Sequence, residues 1–150
     1  MRTSALRNRA VPALLAALAL ACSEPASHGR PPPPPPPAGV SASLAIRDGD
    51  GAAGPFKLSG LSRLAVDATY TGVEAGPHAL RIDVLTPRGT LYAQYQGTFE
   101  LDASGRATYG KVLEVSGTPI DEFHQTGLWR FVLTVDDGAP LATAEASLVE

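Results

Sequence analysis

The chain holds few side chains able to do covalent or acid–base chemistry. There is one cysteine, Cys22, and three histidines, His28, His78 and His124. Apart from the cysteine, no Gly-x-Ser-x-Gly elbow supplies a nucleophile, and no complete Gly-x-x-x-x-Gly-Lys-Ser/Thr loop supplies a nucleotide site. His78 and His124 are far apart in sequence. His124, close to Asp121 and Glu122, is the better placed to meet a carboxylate, although a loop histidine beside acids is most simply a solvated one. Adjacent Asp121 and Glu122 do not make a hydrolytic carboxylate pair, because neighbours on an extended chain point to opposite faces. No enzymatic activity, cofactor or metal is expected.

The acidic run Asp48-Gly49-Asp50-Gly51 invites a calcium reading, since hard cations take oxygen ligands. The twelfth position of such a loop is Ser59 rather than the required Glu, so the run reads as a turn. Trp129 is in phase with Phe131, Leu133 and Val135, which assigns its ring to a core rather than to a binding platform. Tyr92, Gln94 and Gln96 alternate against Leu91, Ala93 and Tyr95 and form the better exposed polar and aromatic strip. The stretch Ser116 to Gly127 is the longest connecting segment and carries Asp121, Glu122, Phe123 and His124 as further binding candidates. Phe123 has no clear core phase; it is expected to plug the end of the domain, and its other use would be to anchor a partner.

These residues sit in a chain with three compositional parts. Residues 1–21 place Arg2, Arg7 and Arg9 ahead of an apolar run from Ala10 to Ala21, the pattern of a secretory signal. That run is well short of the roughly 20 residues needed to span a bilayer. It ends Leu18-Ala19-Leu20-Ala21-Cys22, which resembles a bacterial lipobox. The resemblance implies cleavage before Cys22, acylation of its thiol and a lipid anchor in a membrane. Ser23 and Glu24 follow, where an Asp after the cysteine would imply inner-membrane retention, so the outer membrane is favoured if the organism has one. Residues 22–37 include seven consecutive prolines, Pro31 to Pro37, and lack apolar periodicity, so they read as a disordered, proline-rich tether. At about 3.1 Å per residue in a polyproline helix, the proline run makes a spacer of about 20 Å.

Residues 38–150 carry 8 basic and 14 acidic side chains, a net of −6, which disfavours nucleic acid and anionic partners generally. Period-two alternation recurs along them: Val40 to Ile46, Leu64 to Tyr70, Leu80 to Val84, Leu91 to Tyr95, a short strand around Phe99 and Leu101 after a break at Gly97, Tyr109 to Val115, Trp129 to Val135, and Ala142 to Leu148. The last, alanine-rich segment is read as a strand facing Trp129. Seven to nine short strands with frequent turns predict an all-β sandwich. The turn Thr86-Pro87-Arg88-Gly89 and the run Gly127-Leu128-Trp129-Arg130-Phe131-Val132 resemble immunoglobulin-like modules of bacterial surface proteins. That resemblance implies the sandwich fold, and fold does not fix function. With so little chemistry in the chain, the expectation is a membrane-anchored, non-enzymatic module for binding or a structural role, with a protein or glycan partner in the cell envelope; a carbohydrate-binding module and, further off, a small hydrolase are the alternatives.

Overall fold

The computed structural model describes residues 39–72 and 76–150. The signal segment, Cys22 and the proline-rich tether lie outside the described residues. The domain is all-β: β1 (Ser41–Asp48), β2 (Phe56–Lys57), β3 (Arg63–Thr71), β4 (Pro77–Leu85), β5 (Leu91–Glu100), β6 (Arg106–Glu114), a single helical turn α1 (Pro119–Glu122), β7 (Gly127–Val135) and β8 (Pro140–Val149). Three strands in the order β1-β3-β6 face five in the order β2-β8-β7-β4-β5. All neighbours are antiparallel except β2, which runs parallel to β8. This is an immunoglobulin-like β-sandwich.

The alternating apolar faces meet between the sheets. Leu64, Val66, Ala68 and Tyr70 of β3 pack opposite Leu80, Ile82 and Val84 of β4 and Trp129, Phe131 and Leu133 of β7 in one buried cluster. Ala146 is the cross-strand partner of Trp129 on β8, so the alanines make room for the indole beside them. Their helix propensity is overridden by the hairpin that presents them to a bulky neighbour.

One expected break is absent. β5 runs unbroken through Gly97, because the glycine serves a close approach. The ring of Tyr109 lies over it, and a Cβ there would fall 2.4 Å from Tyr109 Cε2. The Tyr109 hydroxyl donates to the Gln96 carbonyl at 2.9 Å, and that of Tyr95 donates back to the Val112 carbonyl at 3.1 Å. Two tyrosines thus clasp β5 and β6, each the edge strand of its own sheet.

The strand registers define two poles. At one, Gly39 leads into β1 beside the end of β3, the start of β6 and the β7–β8 turn. At the other lie the β4–β5 turn and the segment from β6 to β7.

Candidate functional site

The pole opposite Gly39 carries an open groove of about 570 Å³ between two walls. One wall is the β4–β5 turn and the start of β5, contributing Thr86, Pro87, Arg88, Thr90, Leu91 and Tyr92. The other is the α1–β7 loop, contributing Phe123, His124, Gln125 and Thr126.

Thr86-Pro87-Arg88-Gly89 builds the first wall because proline presets the turn and the chain closes with a Gly89 N–H to Thr86 carbonyl bond of 2.8 Å. The hydroxyls of Thr86 and Thr90 share a hydrogen bond of 2.7 Å, and the Thr90 N–H donates to Thr86 Oγ1. A shift in the pairing of β4 with β5 follows: Val84 opposes Ala93 and Leu85 opposes Leu91, leaving Tyr92 as the extra residue. A bulge of this kind re-aims side chains. Leu91 is consequently 57% exposed, while Tyr92 turns its ring edge-on to Trp129 with centroids 5.2 Å apart. The expected strip of Tyr92, Gln94 and Gln96 is therefore broken. Gln94 and Gln96 are on the outer sheet face, where Gln96 donates to Gln94 and Gln94 to Asp83, away from the groove lining.

The second wall is held by local capping. Thr118 caps α1, its Oγ1 accepting from the Ile120 N–H and donating to the Val115 carbonyl. Asp121 is spent on this turn, accepting from the Gly117 N–H at 3.1 Å, and Glu122 is exposed outside the groove lining. Ile120 is fully buried and plugs the sandwich end. Phe123 does not: it is 70% exposed, which overturns the expectation that it folds inward. Phe123 is the C-cap of α1, with φ −107° and ψ 15°, so the backbone leaves the helical path there and the ring does not share the buried face that a residue three positions after Ile120 would take in a continuing helix. Gln125 ties the loop back through its N–H to the Ile120 carbonyl and its side-chain amide to the Pro119 carbonyl. Gly127 lets the walls touch, since a Cβ there would sit 3.0 Å from Pro87 at a backbone φ of +117°.

The two histidines of the domain differ. His124, with φ +45°, lines the groove as an exposed loop histidine and, among the described residues, comes within 3.9 Å of the equally exposed Glu150. His78, 9% exposed, is the one that meets a carboxylate closely: its Nδ1 is 2.7 Å from Asp136 Oδ2. Asp136 also accepts from the Ala79 N–H, and Arg81 reaches Asp137 at 3.3 Å. Asp136 and Asp137 both have positive φ. The two β4 side chains thus fasten the strained β7–β8 turn, at the pole away from the groove, with the His78 ring tilted against Tyr70. Sequence reasoning missed this pair because its members are 58 positions apart.

Among the described residues, two groups carry shifted proton affinities. Partial burial raises the Tyr95 hydroxyl above its ordinary 10.0, with Tyr92 and Glu114 adding to the effect. A hydrogen bond from the Ser104 hydroxyl, then backbone N–H groups of Arg106 and Ser104, hold Asp102 below its ordinary 3.8. Both lie outside the groove lining. Among the described residues, no three His, Cys, Asp or Glu side chains come together as a metal site.

No protein-family model matches the chain, and no curated protein matches it in sequence. Solved structures share its fold. The CARDB domain of the PF1109 protein from Pyrococcus furiosus, in complex with di-metal ions, is 17% identical with a TM-score of 0.43 over 73% of this chain and 87% of that one. The alkylpurine DNA glycosylase AlkC of Pseudomonas fluorescens, bound to DNA containing an abasic site analog, is 16% identical with a TM-score of 0.50, covering 74% of this chain and 30% of the glycosylase. The β-glucosidase of Kluyveromyces marxianus in complex with glucose is 10% identical with a TM-score of 0.47, covering 74% of this chain and 14% of the enzyme. At these identities the likeness is one of fold alone.

Proposed function

We propose that the chain is an exported, lipid-anchored, non-enzymatic binding module. Cys22 carries the lipid, residues 22–37 space the domain from the membrane, and the sandwich presents a contact surface to a partner in the cell envelope. The outer membrane is the anchoring site this reading favours. Acylation gives the lone cysteine a use, and each buried methylene of an acyl chain contributes about 0.8 kcal/mol to anchoring.

The observation that carries the reading is the exposure of Phe123 and Leu91 in one groove at the pole opposite Gly39. Neither side chain serves the core, and holding two apolar groups in water on one groove is the mark of a contact surface. Loops held on a rigid sandwich are where such domains bind.

Two measurements test the proposal. Cys22→Ala should abolish fatty-acid labelling and release the protein from the membrane fraction; unchanged labelling defeats the anchor. A photo-crosslinking residue in place of Phe123 should give discrete adducts in intact cells, whereas one in place of Thr98 should not. Absent adducts, or the same adducts from both positions, defeat the groove as the contact surface.

A further inference from the structure

We infer that the groove is a subsite for an anionic saccharide, a sugar unit bearing a carboxylate or a sulfate. The inference rests on the groove being the contact surface proposed above, and it names the class of ligand.

Size sets the first bound. A space of about 570 Å³ lies within the range of small-ligand clefts, roughly 300–1,000 Å³.

Charge sets the second. The domain has 14 acidic against 8 basic side chains, yet the groove lining contains no acid and includes Arg88 and His124. The three other clefts described each carry aspartate: Asp48 and Asp50 in one, Asp137 in the next, Asp121 in the third. Among the described residues, Arg88 has no carboxylate within ion-pair distance, and the nearest acid to His124 is Glu150 at 3.9 Å. The net charge of −6 thus conceals a local site of opposite preference. A guanidinium offers a fork that matches a carboxylate or a sulfate ester.

The remaining lining decides between a sugar and an acidic peptide. Seven of its ten residues carry polar side chains, and the Thr90 hydroxyl and Gln125 amide have hydrogen-bonding capacity beyond their bonds to Thr86 and the Pro119 carbonyl, suited to a ligand rich in hydroxyls. Phe123 offers an exposed ring face on which the C–H face of a pyranose can pack, an apolar contact with a polar surround.

The test titrates purified full-length protein with tri-galacturonate, its neutral methyl ester, a sulfated galactose trisaccharide and an oligoglutamate peptide. Calorimetry gives affinity, and amide shifts locate binding. Saturable binding of the galacturonate or the sulfated sugar is expected, with shifts at Thr90 and Gln125; which of the two binds distinguishes carboxylate from sulfate. Arg88→Ala should weaken it about tenfold to a hundredfold, as loss of a hydrogen bond to a charged group does, and Phe123→Ala about tenfold, both at unchanged melting temperature. The inference is overturned if the methyl ester binds as well as the acid, if Arg88→Ala changes nothing, or if oligoglutamate binds the groove more tightly than either sugar. If none of the probes binds while adducts at position 123 persist, the saccharide is wrong and the contact surface stands. If the adducts are absent too, both fail.

Discussion

The indole N–H of Trp129, at the centre of the buried cluster, donates a 3.0 Å hydrogen bond to the backbone carbonyl of Gln125 on the wall of the groove. A core side chain therefore sets the position of a surface loop. Trp129→Phe keeps an aromatic ring but leaves that carbonyl without its donor, which should cost about 1–3 kcal/mol. Trp129→Ala, which opens a cavity as well, should cost about 3–5 kcal/mol. Denaturant unfolding measures both. Hydrogen exchange should show Trp129→Phe speeding exchange in the loop more than in β7; uniform acceleration would remove the positioning role.

Ile120 and Phe123 should respond oppositely to truncation. Ile120→Ala removes the buried plug and should lower stability by about 2–5 kcal/mol. Phe123→Ala should leave the melting temperature within a degree or two, because its ring is already in solvent. A large loss from Phe123→Ala would place that ring in the core after all.

Gly97→Ala should destabilise by about 1–3 kcal/mol, since the added methyl meets the Tyr109 ring and forces it to move. Combined with Tyr109→Ala, which removes the obstruction, the glycine substitution should cost far less. Additive losses in that double-mutant cycle would show that the two positions do not interact.

Stability should fall at both pH extremes for identifiable reasons. Tyr95 holds its proton more tightly when folded, so above pH 10.0 the unfolded chain ionises first and stability is lost as pH rises through the folded value. Tyr95→Phe should flatten that alkaline slope. Asp102 has the opposite sense: its contribution is present above pH 3.8 and is lost as pH falls through its lowered folded value. Asp102→Asn, which keeps an oxygen acceptor for the Ser104 and Arg106 N–H groups, should remove the acid dependence of that turn while retaining much of its order. Urea midpoints measured across pH for each variant check both signs.

The strands were legible because each has one wet and one dry face: Leu64 to Tyr70 and Trp129 to Val135 alternate in sequence as they do in space. The alanines of β8 could be read as a strand from the turn before them. Legibility failed where local geometry changes the period. The extra residue at Tyr92 reverses which side chains face in, and one turn of helix exchanges Ile120 for Phe123. Neither a bulge nor a four-residue helix leaves a periodic mark. The short β2, two residues paired to the far end of β8, left none either. Tyr92, Phe123 and His124 are brought together in the groove, whereas Arg88 and Thr90, its other polar wall, passed as ordinary turn residues because nothing in their spacing shows what they face.

The two tyrosine hydroxyls that clasp β5 to β6 also bear on how neighbouring molecules behave. An open sheet border invites a strand from another copy, and natural proteins blunt such borders. Here the acceptor positions at Gln96 and Val112 are already taken by hydroxyls from the facing sheet. Under the proposed anchoring through Cys22, copies would crowd side by side on one lipid surface, and that occupation would raise the barrier to lateral strand pairing through this border.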